Sequence, residues 1–346
     1  MPADDTRTTR ATIHDVARAA GVSIGTVSRV INGNGRTGAE TRKRVNTAIA
    51  QLGYRVNTVA QSMRRQTTRA VAVLAHDISN PIFATVTSAA QSVLEGAGYV
   101  LVLASSGTAG GSEAATVSLL GQRRMDGIIG FFRREDDPET IAALREFDGA
   151  LVLFDRTMDV KADVVLTDHA GGVMRATRYL LDLGHRRIAL VGGIAGVYPA
   201  RERTRGFIEG FEAHGIEPPP ASYIRTQSIE SEYGFREASN LLFATPRPTA
   251  IIAGSNQTLE GVITAVRAAN LEVPRDLSLV GFDDSSAARV FSPPITVIAR
   301  NIVQMGMMAA EMVLERLSHG RDHPAQKVIL NAQIVLRESC GPPPAQ

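Results

Sequence analysis

Two sets of side chains in this sequence could do chemistry. The first is a series of acids, Asp77, Asp155, Asp168 and Asp283, each at the end of a short apolar run. A carboxylate accepts two or more hydrogen bonds and can hold a pair of adjacent hydroxyls, as sugar recognition requires. Phe83 and Phe291 could supply an apolar wall on which such a ring stacks. An acid after a strand also has a plainer use, capping the helix that follows. The second set lies near the N-terminus. Thr12, Ser23, Thr26, Ser28, Asn32 and Tyr54 are short or hydroxylated side chains suited to phosphate oxygens. Such contacts position a protein on a duplex without reading its sequence. Ile24, Gly25 and Arg29 are placed to meet base edges. Arginine pairs bidentately with guanine, whereas isoleucine offers only apolar contact with a thymine methyl and glycine only close approach. Ser23 and Thr26 could equally cap a helix, and both roles can hold at once.

The elements that must position this second set are legible in TIHDVARAAGVSIGTVSRVIN, residues 12–32. Ile13, Val16, Ala17 and Ala20 fall at helical spacing, as do Val27, Val30 and Ile31. Between the runs stands Gly21-Val22-Ser23, where glycine suits a left-handed turn and serine can cap the next helix. Two short helices joined this way make a helix-turn-helix, whose second helix enters a major groove. A third helix opens at Ala39-Glu40-Thr41-Arg42, with Val45, Ala48, Ile49 and Leu52 on one face and Gly53 at its end. The net charge of +2 hides an asymmetry: up to Arg65 eleven Lys and Arg stand against four acids, giving +7, and the remainder carries −5. A basic module tied to a mildly acidic body suits a polyanion-binding head on a separate sensor.

From Ala70 onward, short apolar runs alternate with helical stretches. Strand candidates are 70–75, 99–104, 126–131, 150–155, 163–168, 187–192, 250–254 and 278–283; helical windows include 81–96, 112–122, 172–183, 202–213 and 256–269. Strands alternating with helices imply parallel, doubly wound sheets. The number of strands exceeds what one such sheet usually holds, so two subdomains are expected, dividing near Asp168. Ligands bind outside the C-terminal ends of parallel strands, so the four acids should converge on a cleft.

The segments IHDVARAAGVSIGTVSRVING and ETRKRVNTAIAQLGY, and a short stretch ending in SMRR, resemble in order and spacing the DNA-binding head of the lactose-repressor (LacI/GalR) family of bacterial transcription regulators. The resemblance continues to Glu338. It implies an all-α helix-turn-helix head plus an α/β body like the periplasmic sugar-binding proteins, with two doubly wound parallel-sheet subdomains. The domain expectation is a polar, disordered 1–11, a head over 12–56, a hinge over 57–67, an effector-binding and dimerisation body over 68–340, and a tail over 341–346. Within the body, 68–167 and 300–326 form one subdomain and 168–297 and 327–340 the other, the helix NIVQMGMMAAEMVLERL joining the first and the final strand the second.

In that family the hinge folds when two subunits lie side by side on DNA, and an apolar side chain pries open a base step in the minor groove. Met63 holds the wedge position, where leucine is commoner, with Asn57, Val59 and Ala60 before it and Arg64 and Arg65 beside it for phosphates. By spacing alone, Val59, Ala60 and Met63 give one amphipathic turn too short to be stable in isolation, and a flexible linker is the plainer reading. Arg29 corresponds to the family's base-reading arginine and Arg203, in YPARERTRGF, to its effector-binding arginine. Three departures matter. Ile24 and Gly25 bring no side-chain hydrogen bonds to the readout helix; Ser255-Asn256 replaces the usual Asn-Asp; and His169 stands where asparagine is usual, as a ligand or as a satisfied histidine at the cleft edge. The cleft's donor and acceptor pattern, and with it the effector, should differ from the commoner sugars.

No Walker lysine motif, dinucleotide glycine spacing or nucleophile elbow is present, and none of the seven histidines has zinc-ligand spacing. No enzyme, catalytic residue, cofactor or metal is therefore expected. No apolar run could cross a bilayer and the N-terminus lacks a signal-peptide core, which places the chain in the cytoplasm and away from membranes. The sole cysteine, Cys340, is expected in a mobile C-terminal tail and can form no internal disulfide. The expected protein is a homodimeric repressor of a pseudo-palindromic double-stranded DNA operator, controlled by a sugar or sugar derivative. A solute-binding transport protein would share the body but have no use for the basic head, and a sugar-active enzyme would turn over substrate without DNA.

Overall fold

Local backbone chemistry sets the first unit. The computed structural model describes residues 11–32, 37–54, 67–107, 111–320 and 322–344, and it divides into two units, Met1–Thr68 and Arg69–Gln346. In the first, α1 (Ile13–Ala20) opens on a capping box: the Thr12 hydroxyl accepts from the Asp15 amide while the Asp15 carboxylate accepts from the Thr12 amide. Gly21 closes that helix with φ 60°, a left-handed conformation that an L side chain adopts only under strain. α2 (Ile24–Asn32) and α3 (Ala39–Leu52) follow. Val16, Ala17, Ala20, Val27, Val45 and Ala48 form one small core, with Ile13, Val30, Ile49 and Tyr54 packed at its margin. The hinge residues of the sequence reading, Asn57, Val59, Ala60, Met63, Arg64 and Arg65, lie outside the described residues, as do 1–10.

The second unit repeats one winding. The first lobe is built from β1 (Ala70–Ala75), α4 (Pro81–Gly96), β2 (Val100–Ser105), α5 (Glu113–Gln122), β3 (Gly127–Phe131), α6 (Pro138–Glu146), β4 (Ala150–Phe154) and β5 (Asp163–Asp168). The second continues with α7 (His169–Asp182), β6 (Ile188–Val191), α8 (Tyr198–Glu212), β7 (Ile224–Arg225), α9 (Ser231–Leu242), β8 (Ala250–Ala253), α10 (Asn256–Ala268), β9 (Ser278–Phe282), α11 (Ser286–Val290) and β10 (Thr296–Ala299). The chain then returns as α12 (Ile302–His319), β11 (Lys327–Asn331) and β12 (Gln333–Val335). The sheets run β11-β5-β4-β3-β1-β2 and β12-β10-β9-β8-β6-β7, the same order twice. Strands β1, β3, β4, β6, β8 and β9 are apolar and almost wholly buried because helices cover both faces. α12 packs Met305, Ala309, Met312 and Val313 onto the first lobe with Phe83, Val86 and Phe154, and Arg316 donates to the buried Asp163 carboxylate at 3.0 and 2.5 Å.

Two expectations are corrected. The final strand does not join the second subdomain whole: Lys327–Asn331 pairs in parallel with β5 in the first sheet, and only Gln333–Val335 pairs, antiparallel, with β10 in the second. The break is at Ala332, itself buried in the second lobe's core. The segment thus satisfies the edges of two sheets, where leaving either bare would leave backbone groups unpaired. Nor do the residues at the start of the tail hang free. Cys340 packs on the second lobe's core, and Gly341 donates to Ser278 Oγ at 3.0 Å while its carbonyl lies 2.9 Å from His185 Nε2.

Candidate functional site

On the head, α2 buries Val27 and turns the opposite face outward. Ser23 caps it, its Oγ accepting from the Thr26 amide at 3.2 Å and lying 2.9 Å from the Thr26 hydroxyl. Ile24 is 40% exposed, and Gly25 and Arg29 are exposed beside it. Arg29 folds back on its own helix, Nε donating to the Gly25 carbonyl at 3.2 Å and a terminal nitrogen to Thr26 Oγ1 at 3.4 Å. Reaching a base edge means exchanging these two bonds for better-oriented ones. Thr12 is exposed, its hydroxyl engaged with Asp15 at 2.7 Å. Tyr54 is half-buried against the core, and Ser28 lies partly exposed on α2. Asn32 ends α2.

In the body a cavity of about 80 Å³ lies between the lobes. Asp155 and Asp283 reach it from equivalent places, the residues after the fourth strand of each lobe, and both hold φ in the left-handed region, 50° and 68°. Arg300, directly after β10, joins them. Its Nε and a terminal nitrogen donate to Asp283 at 2.7 and 3.3 Å, and its other terminal nitrogen donates to Asp155 and, at 3.4 Å, lies on Thr167 Oγ1. Burial opposes the charge on Asp155, but the neighbouring His169 ring and Arg300 guanidinium outweigh it and hold the carboxyl far below the usual range. Burial likewise weakens the charge on Arg300, and the two carboxylates reverse that.

His169 is fully buried. Its Nε2 lies 3.2 Å from Asp155, off the line of a hydrogen bond, and its Nδ1 accepts from Arg203 Nε at 3.4 Å. Burial, with Arg203 and Arg300 nearby, pushes the ring down to about 4 despite Asp155, so it is neutral at pH 7. Arg203 lies with its guanidinium carbon 4.1 Å from the centre of the Phe282 ring. Burial and the Arg300 charge bring it down to about 9, still a cation at neutral pH.

The mouth is strapped on two sides. Asn256 donates to Asn80 at 3.1 Å, Asn80 to Gln257 at 3.3 Å and Gln257 to Asp77 at 3.1 Å, linking the N-terminal ends of α4 and α10. Opposite, the buried Glu135 accepts from the Tyr198 amide at 2.8 Å and from Arg201 at 2.9 Å. Of the residues singled out from sequence, Phe83, Asp155, Arg203, Ser255, Asn256 and Asp283 line the cavity and His169 backs it. Three stand apart. Asp168 caps α7, accepting from the Gly171 amide at 2.8 Å; Asp77 is held by Ser79 and Gln257; and Phe291 packs with the second lobe's core beneath Arg267. The four acids therefore do not all converge. Sequence reasoning missed His76, Asn80, Arg156 and Arg300; the rule that found the aspartates, a charged residue directly after an apolar run, would have found Arg300.

A family model described as "Bacterial regulatory proteins, lacI family" matches residues 12–57, and one described as "Periplasmic binding protein-like domain" matches 177–340. The chain is 33% identical to the HTH-type transcriptional regulator DegA of Bacillus subtilis (strain 168), covering 96% of this chain and 99% of that protein. It is 31% identical to the Ribose operon repressor of Haemophilus influenzae, covering 95% and 98%. Among solved structures, a lac repressor dimer bound to operator and an anti-inducer matches with TM-score 0.84 at 26% identity, over 96% and 99% of the two chains. A transcriptional regulator CelR–cellobiose complex matches with TM-score 0.73 at 29% identity, over 95% and 100%. With its capped reading helix, its two-lobed body and identity of this extent along nearly its whole length, the chain belongs to the LacI family of bacterial DNA-binding transcriptional regulators.

Proposed function

We propose that this protein is a cytoplasmic, homodimeric repressor that binds a pseudo-palindromic operator through Ile24, Gly25 and Arg29 and responds to a small molecule held between its lobes. One observation carries the reading: α2 buries Val27 while presenting Ile24, Gly25 and Arg29 to solvent on a basic unit. Thr12, Ser23, Thr26, Ser28, Asn32 and Tyr54 position the head on phosphates, and Asn57, Val59, Ala60, Met63 and Arg64 form the hinge contact. Dimerisation uses the first lobe's unpaired sheet edge, where β2 is the terminal strand and leaves Val100 64% and Leu103 48% exposed. The bound effector contacts Phe83, Asp155, Arg203, Ser255, Asn256 and Asp283, with His169 behind them. It acts only by its differential affinity for the open and closed arrangements of the lobes. The similar structures hold cellobiose in one case and an anti-inducer with operator in another, which supports a sugar-like class. The experiment is selection of duplexes from a randomised pool by the full chain, followed by titration of Arg29→Ala. The selected sequences should be inverted repeats. The variant should lose about 1–3 kcal/mol of preference for them over random DNA; undiminished preference would remove Arg29 from base readout.

A further inference from the structure

The carboxylates that would ordinarily hold a neutral sugar's hydroxyls already have both oxygens hydrogen-bonded within the protein in this cleft, so each is only partly available. Asp283 gives both oxygens to Arg300. Asp155 gives one to the Thr167 amide at 2.8 Å and the other to Arg300. What faces the cavity unanswered is a cation. Arg203 is 5% exposed, its one hydrogen bond among the described residues is the long contact with the neutral His169, and it forms no ion pair with a described carboxylate. Its terminal N–H groups therefore look onto the cavity that the side chain lines. The wall carries three guanidiniums, Arg156, Arg203 and Arg300, against two carboxylates. Arg156 is further offset by Glu135 and Glu113, and the wall's own histidine, His76, is driven down to about 4 by burial and Arg156 and so adds no charge. Arg203 is the cation left over: the Phe282 ring lies against it and Asp283 and Asp155 act on it only from beyond ion-pair distance, and a buried charge so incompletely paired is destabilising until something supplies a partner. A second orphan borders the same cavity: Asn256, 4% exposed, lines it, and its buried Oδ1 is bonded to nothing. A carbonyl oxygen of this kind takes an O–H or N–H donor.

We infer that the effector is a hydroxylated acid, its carboxylate or phosphate meeting Arg203 and a hydroxyl meeting Asn256, rather than a neutral sugar. The inference rests on the cleft being the effector site. Ile82, Phe83, Ile194, Val197 and Ile229 give the same cavity apolar wall for the carbon skeleton. Arg300 acts as a built-in occupant of the neutral-sugar acceptors, which sets specificity without touching the skeleton.

The test is calorimetric titration and thermal shift of the full-length protein at neutral pH with matched sets: glucose, gluconate, glucuronate and a hexose monophosphate; ribose, ribonate and ribose phosphate. At least one acid should bind at least ~tenfold more tightly than its neutral partner and raise the melting temperature. Binding of carboxylates alone or of phosphates alone assigns the anion, and either outcome supports the inference. Arg203→Met should erase the acid's advantage and Arg203→Lys keep part of it. Arg300→Gln, which frees Asp155 and Asp283, should move preference toward the neutral member. Neutral partners binding as well as or better than the acids, or no acid binding, overturns the inference; so does inorganic phosphate matching the hexose phosphate. If a neutral sugar binds and shifts operator affinity, the effector-site reading stands while this inference falls. If nothing binds and the cleft variants leave operator affinity unaltered, both fall.

Discussion

His169 and His76 are buried beside arginines, and each is held near 4, below the ordinary histidine value of about 6.5. Between those two pH values the unfolded chain binds more protons than the folded one, so stability rises with pH across that window and is lost as pH falls through it. Asp155, held below the carboxylate range, keeps its contribution through the same window and gives it up only in stronger acid. The urea midpoint should therefore be flat from about pH 7 to about pH 8, below the Arg203 value, and fall between 6.5 and 4. His169 adds to that fall because burial disfavours its charged form in the folded chain alone. His169→Gln should flatten that slope, measured as unfolding midpoint against pH. An unchanged slope would mean that the ring is not held neutral in the folded state.

At the scale of elements, the α7–α8 contact positions Arg203. The helices approach so closely at Gly206 that an added Cβ would stand 2.0 Å from the Ala170 carbonyl oxygen, and at Gly210 one would stand 2.7 Å from Thr177. Gly206→Ala gains about 1 kcal/mol of helix propensity but forces two backbones apart, an overpacking that commonly costs about 1–3 kcal/mol and more when backbone must move. A lower melting temperature is expected, together with a weaker ligand response, because Arg203 sits one turn before the glycine on α8. An equal or higher melting temperature would show that α8 shifts freely. Sequence period located most of these elements. It passed over α6, α9, α11 and the short β7, whose apolar positions are few or interrupted, and β10, a run of four residues.

For the whole molecule, Arg300 is the strap at the cleft floor, joining a carboxylate from each lobe where the chain crosses between them. Arg300→Gln leaves Asp155 and Asp283 as buried, mutually repelling charges. Removing one partner from a buried ionic group typically destabilises by about 3–5 kcal/mol. Small-angle scattering of this variant should show a broader distance distribution, from lobes held less firmly, and its unfolding midpoint should drop. A profile identical to the parent's would leave the lobes held by the straps at Glu135 and Asn256 alone. The proposed dimer edge predicts that Leu103→Glu sediments as a monomer and binds operator more weakly; a stable dimer would move the interface elsewhere.

The head and the class of the body could be read from sequence because both follow from local chemistry. Thr12, Gly21 and Ser23 act within a few residues of themselves, and the apolar periods need only a neighbour to bury against. The cleft residues divide along the same line. Asp155 and Asp283 were visible as charges at the ends of strands, and Arg203 through the family resemblance of YPARERTRGF. That Asp168 caps its own helix, that β11 and β12 part company at Ala332, and that Arg300 occupies both aspartates were not. Each of these depends on residues brought together from more than a hundred positions apart or on a choice between two equally local uses. Only the packing of the two lobes decides which carboxylates remain available and leaves Arg203 as the cation facing the cavity.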